Sequence, residues 1–287
     1  MKSIYRNEKS KNAILALYDR QIKELQVPYK DIYVETIFGE THLIECGNFT
    51  GKPLLVFHGG NATTAYNLGY CKFLLNDFHI YAVDTIGHPG KSAETSLSSY
   101  NQDYGKWVIS VIRALGYDSM ACFGGSFGAG ILVKAMCVSP ELIERSALIV
   151  PSAIKNAPTY KSINMAFPMI MYWLTHKEEW FIKCILPMAI EKANIAQDIL
   201  ITARCSIDNV KIKSTMPQNE KAKSLSKYHN PVLVMAAEKD CLFPAKQVLP
   251  QVRKVWKQSI TYLLKDRGHI NELTDVEKKM IVEFLLE

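Results

Sequence analysis

Short apolar runs recur along the chain and predict the strands of one buried sheet. They are bounded by glycine, proline or charged residues and are short for buried helices, which favours strands. They read KPLLVFHGG, FHIYAVDT, SMACFGGS, SALIVPS, PVLVMAAEKD and SITYLLKD. Segments with the apolar spacing of helices separate most of them: TAYNLGYCKFLLN, QDYGKWVISVIRAL, ILVKAMCV and PAKQVLPQVRKVW. This alternation is typical of a mostly parallel sheet with helices on each face.

The N-terminal region predicts a helix followed by an antiparallel hairpin. Apolar residues recur at helical spacing between Lys9 and Leu25. The next segments, IYVETIFG and ETHLIECG, have the pattern of two strands joined by a tight turn. The hairpin would extend one edge of the sheet and bring it to eight strands.

One long segment interrupts the alternation of strands and helices. Between Pro151 and about Tyr228 the chain is rich in Met, Trp, Phe and Lys and contains no further buried-strand run. Because so long a plain loop is uncommon in a compact domain, we expect an inserted helical cap. The predicted organisation is a core of residues 1–151 and 229–287 with a cap of residues 152–228.

Composition and charge limit the kinds of partner that the protein is expected to bind. The net charge of +6 arises from 34 Lys and Arg against 28 Asp and Glu, and the lysines are scattered, which favours a solvated surface over a nucleic-acid-binding stripe. No window reaches the roughly 18 apolar residues of a membrane span. The N-terminal segment lacks the apolar core of a secretory signal. We therefore expect a cytoplasmic protein that binds neither nucleic acid nor membrane.

The cysteines and histidines do not predict a metal site. There are seven cysteines, an odd number, with no CxxC pair, which favours reduced, buried thiols over disulfides or a zinc site. Cys241 is expected to serve packing. The segment HKEEW at 176–180 lacks HExxH spacing. No metal or organic cofactor is expected.

The stretch CFGGSFGAG, residues 122–130, lies between a predicted strand and a predicted helix. Its glycines do not fit the spacing GxGxxG of dinucleotide-binding loops. They do fit GxSxG at Gly124, Ser126 and Gly128, a turn that exposes a nucleophilic serine. The segment GHPGKS ends like a phosphate-binding P-loop. The P-loop motif GxxxxGK[ST] requires glycine at position 85, where this chain has Thr85, so the motif is not met.

A serine nucleophile needs a base and a carboxylate that orients the base. Asp240 and His269 each follow a predicted strand, as Ser126 does, so all three should meet at one edge of the sheet. Rival acids are Asp266, Glu238 and Asp84. Asp240 is preferred because of its position after the strand PVLVMAAEK and before a proline.

Backbone N–H groups should stabilise the oxyanion. The expected donors are Phe127, directly after the serine, and Gly60 or Asn61 in the loop HGGN. His58 in that loop is expected to be structural. His88, expected near the site entrance, is a second possible proton carrier, although a loop histidine is more often solvated or hydrogen-bonded.

The ordered motifs HGG, DTIGHPGKS, GGSFG, EKDCLFP and GH at 268–269 resemble those of the α/β-hydrolase superfamily, specifically its cap-bearing bacterial carboxylesterase-type members. The likeness extends over nearly the whole chain. It implies an α/β-hydrolase fold in which Ser126 is the nucleophile, His269 the general base and acid, and Asp240 the orienting carboxylate. A serine at this turn argues against the dehalogenase and epoxide hydrolase branches, which use aspartate.

The cap sequence suggests an apolar substrate. Methionines and aromatic residues at 165–174 and 180–188 are expected to form the cap's own core in part and to line the substrate pocket in part. The predicted pocket residues are Met165, Phe167, Met169, Trp173 and Trp180.

These features predict a carboxylesterase that cleaves small to medium apolar esters through an acyl-Ser126 intermediate. The same triad also serves thioesterases, lactonases and carbon–carbon bond hydrolases, so these stay open. A non-catalytic ligand receptor on the same scaffold is the alternative from another class. The sequence leaves the oligomeric state open.

Overall fold

A computed structural model describes residues 3–158, 163–211 and 215–287. Its strands are β1 (Tyr29–Thr36), β2 (Gly39–Gly47), β3 (Lys52–Phe57), β4 (Phe78–Val83), β5 (Met120–Gly125), β6 (Ile143–Ile149), β7 (Val232–Ala237) and β8 (Ser259–Leu264). Its helices are α1 (Glu8–Leu25), α2 (Thr64–Tyr70), α3 (Asp103–Ala114), α4 (Phe127–Val138), α5 (Ile163–Thr175), α6 (Glu178–Ala189), α7 (Gln197–Asn209), α8 (Ala222–Leu225), α9 (Ala245–Val255) and α10 (Asp275–Leu286). No helix in these ranges is long and apolar enough to cross a membrane.

The strands form one eight-stranded sheet in the order β1-β2-β4-β3-β5-β6-β7-β8. β1 pairs with β2, and β2 with β4, in antiparallel register. All pairings from β4 through β3 to β8 are parallel. The predicted mostly parallel sheet and its antiparallel edge hairpin are therefore confirmed.

Each face of the sheet has its own apolar core. On one face α3, α4 and α9 pack through residues such as Trp107, Leu132 and Val248. On the other face α1, α2 and α10 pack through residues such as Tyr18, Leu68 and Ile281. Central strands such as β7 are buried along their whole length, because both sheet faces are covered. This burial explains why their sequences are continuously apolar.

Four helices, α5 to α8, lie between β6 and β7. The first three share a small apolar core of their own, centred on Tyr172, Phe181 and Ile185. They also contact the rest of the molecule, since Gln21 of α1 donates to the Thr202 hydroxyl of α7 at 2.8 Å. Of the predicted cap 152–228, residues 159–162 and 212–214 lie outside the described part. The exact limits of core and cap stay a prediction.

Candidate active site

Ser126 occupies the turn between β5 and α4 in a strained backbone conformation. Its φ is 52° and its ψ is −111°, a combination that is costly for a residue with a Cβ. The turn is fixed by the Ser126 N–H, which donates to the Ile149 carbonyl at 2.9 Å. The hydroxyl is thereby carried to the carboxyl end of β5, on the edge of the sheet where β6 also ends.

The two glycines that flank Ser126 permit a close approach of strand and helix. A Cβ on Gly128 would lie 2.7 Å from the Phe57 carbonyl oxygen of β3. A Cβ on Gly124 would lie 2.8 Å from the Ala129 nitrogen of α4. These separations are shorter than real Cβ contacts, so both positions require glycine. This is the physical basis of the GxSxG spacing.

The structure brings Ser126, His269 and Asp240 together. The distance from His269 Nε2 to Ser126 Oγ is 2.9 Å, across 143 positions of sequence. The distance from His269 Nδ1 to Asp240 Oδ2 is 2.8 Å. In this arrangement Nδ1 donates to the carboxylate and Nε2 is free to accept the serine proton.

Asp240 is held rigidly by its own loop. Its second oxygen, Oδ1, accepts the N–H groups of Leu242 at 2.7 Å and Phe243 at 3.0 Å. The Phe243 ring also packs edge-on against His269, with ring centroids 5.3 Å apart. The carboxylate is buried and therefore well placed to orient the imidazole.

The three rival acids have other partners. Asp266 lies on the surface and pairs with Lys239 at 2.9 Å. Glu238 accepts the Asp266 N–H at 2.9 Å. Asp84 is fully buried and contacts His42 Nδ1 at 2.8 Å. None of these contacts involves His269.

The pair of Asp84 and His42 was missed from the sequence. His42 Nε2 also contacts Asp31 at 2.7 Å, so both ring nitrogens face carboxylates. Burial opposes ionisation of Asp84, but the hydrogen bond and charge of His42 outweigh it and lower the Asp84 pKa. Asp84 then accepts the Lys91 N–H at 2.8 Å. The pair fixes the loop that follows β4, and its sequence signal is a histidine within β2, a strand that pairs with a neighbour on each side.

The predicted oxyanion donors lie together beside Ser126. A Cβ on Gly60 would be 3.6 Å from Phe127 Cβ, and one on Gly59 would be 3.8 Å from Ser126 Cβ. Phe127 begins α4, so its N–H has no acceptor within the helix. In the described part of the chain, the N–H groups of Gly60 and Asn61 also have no acceptor. Asn61 has a φ of 55°, a left-handed backbone conformation within this loop.

The two loop histidines are both buried. His58 Nδ1 donates to the Gly59 carbonyl at 2.8 Å, while Nε2 accepts the Thr85 N–H at 3.1 Å. Burial lowers the pKa of His58, so the imidazole is neutral and connects the two loops through hydrogen bonds. His88 is 5% exposed and packs on Phe127 with ring centroids 4.5 Å apart. It is thus an interior residue, not the solvated loop histidine that its position suggested.

The predicted pocket residues of the cap fall into three groups. Met169 and Trp180 pack against the cap's own core. Phe167 and Trp173 are exposed, and Met165 is half-buried. Their part in substrate binding stays a prediction.

A residue near the oxyanion loop was not found from the sequence. Met216, in the segment that returns from α7 toward β7, places its methyl group 3.3 Å from a Cβ built on Gly60. It also packs against the core beneath α4. Only tertiary structure brings this segment over the loop, so no local pattern could have identified it.

A buried ion pair secures the same segment. Lys134 of α4 contacts Glu220 at 2.7 Å and is 1% exposed. Gln102 donates to the other Glu220 oxygen at 2.9 Å.

The described ranges contain no group of three His, Cys, Asp or Glu side chains arranged to hold a metal ion.

Comparison with known proteins agrees with the fold. A family model described as alpha/beta hydrolase fold matches residues 52–187. The carboxylesterase YbfK of Bacillus subtilis is 30% identical over 135 residues, which are 47% of this chain and 46% of that protein. In sequence, the chain spans about half the length of the curated relatives that it matches.

The structural likeness extends over almost the whole chain. The crystal structure of carboxylesterase CesB (YbfK) from Bacillus subtilis has a TM-score of 0.80 at 21% identity, covering 96% of this chain and 98% of that one. Naproxen esterase from Bacillus subtilis gives a TM-score of 0.83 at 18% identity, with coverage of 97% and 99%. This likeness confirms the fold that the ordered motifs predict.

Proposed function

We propose that the chain is a serine carboxylesterase of the α/β-hydrolase type in which Ser126, His269 and Asp240 form the catalytic triad. The observation that carries the proposal is the unbroken chain of contacts from Ser126 Oγ through His269 to Asp240, at 2.9 and 2.8 Å. A nucleophile, a base and an orienting acid are all within hydrogen-bond distance.

In the proposed mechanism, His269 Nε2 accepts the Ser126 proton as Oγ attacks the ester carbonyl carbon. The bond to the alcohol oxygen breaks, and His269 returns its proton to that oxygen. Water then attacks the acyl-serine, with His269 again as base, and releases the carboxylic acid and free Ser126. Asp240 remains ionised throughout and stabilises the imidazolium.

Backbone N–H groups of Phe127 and of Gly60 or Asn61 are proposed to hold the carbonyl oxygen as it becomes negative. Removing one such donor costs about 3–4 kcal/mol of transition-state stabilisation in a well-studied case. The location of Phe127 at the start of α4 adds the positive end of the helix dipole. The Phe127 donor and the nucleophile therefore share one turn, while the second donor comes from the loop after β3.

The relatives named as carboxylesterases support ester hydrolysis, and the substrate is proposed to be a small-molecule ester. A panel of p-nitrophenyl esters, thioesters and lactones tests this, with Ser126→Ala as the control. We expect ester hydrolysis that the alanine variant lacks. If the protein hydrolyses only thioesters or only lactones, the esterase proposal is replaced by that activity. If it binds ligands but hydrolyses none of the substrates, the result favours a non-catalytic ligand receptor.

A cytoplasmic location is also proposed. The structure gives all seven cysteines as free thiols, five of them buried, an arrangement that suits a reducing compartment. Fractionation of cells that produce the protein tests this: recovery in the periplasm or medium would contradict it.

A further inference from the structure

The carbonyl of Ser126 accepts more than the hydrogen bond that begins α4. The Gly130 N–H donates to it at 3.0 Å, which is the first hydrogen bond of the helix. Two further donors reach it from the segment that follows β6: the Ser152 N–H at 3.3 Å and the Ser152 hydroxyl at 3.2 Å. In the part of the chain that the structure describes, this carbonyl is the only acceptor of the Ser152 hydroxyl.

The other polar group of the Ser126 backbone is held from the same side. The Ser126 N–H donates at 2.9 Å to the carbonyl of Ile149, the last residue of β6. Both the N–H and the carbonyl of Ser126 are therefore bound to residues between 149 and 152. A φ of 52° is costly for serine and persists only where the surroundings fix it. The contacts with β6 and the segment after it supply that support.

A glycine leaves room for the Ser152 hydroxyl. A Cβ on Gly130 would overlap Ser152 Oγ, and Ser152 is fully buried. The hydroxyl thus occupies the space that a side chain at position 130 would fill. Gly130 lies outside the GxSxG spacing, so the last glycine of CFGGSFGAG is explained by Ser152.

The segment that carries Ser152 is strained on both sides of it. Val150 has a φ of 43° and Ala153 a φ of 66°, in the left-handed region that β-branched residues above all avoid. The Val150 N–H donates to the Met235 carbonyl of β7 at 2.8 Å. The Ala153 N–H donates to the Asn156 side chain at 2.9 Å. Strained backbone of this kind clusters at functional sites, where the surrounding structure holds it in place.

We propose that Ser152 is a positioning residue, which holds the Ser126 carbonyl through its hydroxyl and its N–H and thereby fixes the turn of the nucleophile. The inference rests on the proposed role of Ser126. Loss of the hydroxyl lets the turn relax and moves Ser126 Oγ relative to His269 Nε2, which lies 2.9 Å away. Displacement of a catalytic group by about 1 Å costs about 100-fold in rate, and a smaller shift costs less.

Ser152→Ala tests the role of the hydroxyl. Two rates are measured on protein that unfolds cooperatively in urea: kcat/KM for p-nitrophenyl acetate, and the second-order rate constant for labelling by a fluorophosphonate. We expect both to fall by about tenfold. A residue that only stabilised the fold would lower the urea midpoint and leave both rates unchanged. Ser146→Ala is the matched control, because Ser146 is another fully buried serine and lies on β6 opposite Cys122; its rates should equal those of wild type.

Gly130→Ala is a second variant, which displaces the Ser152 hydroxyl without removing it. Its Cβ would take the place of Ser152 Oγ, so we expect the same two rates to fall at least as far as in Ser152→Ala. In the double variant, Gly130→Ala should cost less than it does in wild type, because no hydroxyl is left to be displaced.

Wild-type rates in folded Ser152→Ala, equal losses in Ser152→Ala and Ser146→Ala, or additive losses in the double variant would each overturn the positioning role. Failure of the proposed esterase gives a different result. A wild type that labels on Ser126 but hydrolyses no ester contradicts the esterase alone, and the labelling rates then decide the role of Ser152. A wild type that does not react with the fluorophosphonate contradicts both.

Discussion

The Ile270 N–H donates to the Met188 carbonyl at 2.9 Å, which ties the residue next to His269 to the end of cap helix α6. Gly268, on the other side of His269, lies against the same carbonyl with no room for a Cβ. Ile270 also packs against the cap's core. The loop that carries His269 therefore rests on the cap, and a displaced cap would displace the imidazole.

Gly268→Ala should lower kcat/KM for ester hydrolysis by about 100-fold, because displacement of a catalytic group by about 1 Å has effects of that size. The new Cβ would meet the Met188 carbonyl and push the His269 loop away from α6. Steady-state kinetics on a p-nitrophenyl ester measures the effect. Gly116→Ala is the control: a Cβ on Gly116 meets nothing within 4 Å, although the φ of Gly116 is positive, 83°. Equal losses in the two variants would show that the contact with Met188 does not matter.

Asp240→Asn should reduce kcat by about 10⁴-fold, as removal of the orienting charge does in a well-studied triad. The amide could no longer stabilise the imidazolium, although the loop contacts of Oδ1 would survive. Asp266→Asn should retain nearly full activity because Asp266 contacts Lys239 on the surface. The opposite pattern would assign the acid to Asp266.

Stability should fall with acidification because of His88. Its pKa is lowered from 6.5 to about 3 by burial and by His58, so the unfolded chain binds one more proton than the folded chain between these values. The free energy of unfolding therefore decreases as pH falls through this window, by about 2 kcal/mol from pH 7 to pH 5 for this residue.

Urea unfolding at the two pH values checks this expectation. His88→Phe should lose about 2 kcal/mol less than wild type on going from pH 7 to pH 5, because phenylalanine does not titrate. Identical pH dependence of the two proteins would mean that His88 takes up its proton as readily in the folded state as in the unfolded chain.

Lys134→Met should destabilise the fold by about 3–5 kcal/mol, because it leaves Glu220 as a buried charge without its counter-ion. The pair Lys134→Met with Glu220→Leu should recover most of that loss, since an apolar pair can replace a buried ion pair. Urea unfolding of the two variants is the measurement. A double variant as unstable as the single one would indicate that the carboxylate itself, through Gln102, holds the segment.

The triad positions could be predicted because they depend on features that are local in sequence. Ser126, Asp240 and His269 follow β5, β7 and β8, and the carboxyl ends of parallel strands share one edge of the sheet. GxSxG similarly reflects two clashes: Gly124 avoids one with the start of α4, and Gly128 avoids one with the end of the neighbouring strand β3. The fold followed from the same short-range patterns.

The surroundings of the triad could not be predicted in the same way. Met216 reaches Gly60 only because the chain returns across the core after α7. The apolar pattern of α5 suggested pocket residues, yet it does not say which side faces solvent, and Phe167 is 61% exposed. His88 has a polar loop sequence around it, whereas its burial comes from Phe127 and Tyr104. These contacts join distant segments and leave no periodic signal.

Covalent labelling with a fluorophosphonate probe tests the central claim most directly, because the probe reacts with a serine only when a neighbouring base has activated it. Mass spectrometry of the digested wild-type protein should find the adduct on the peptide that contains Ser126, while folded Ser126→Ala should remain unlabelled. A folded wild type that does not react, or a Ser126→Ala variant that labels equally, would contradict the assignment of Ser126 as the nucleophile.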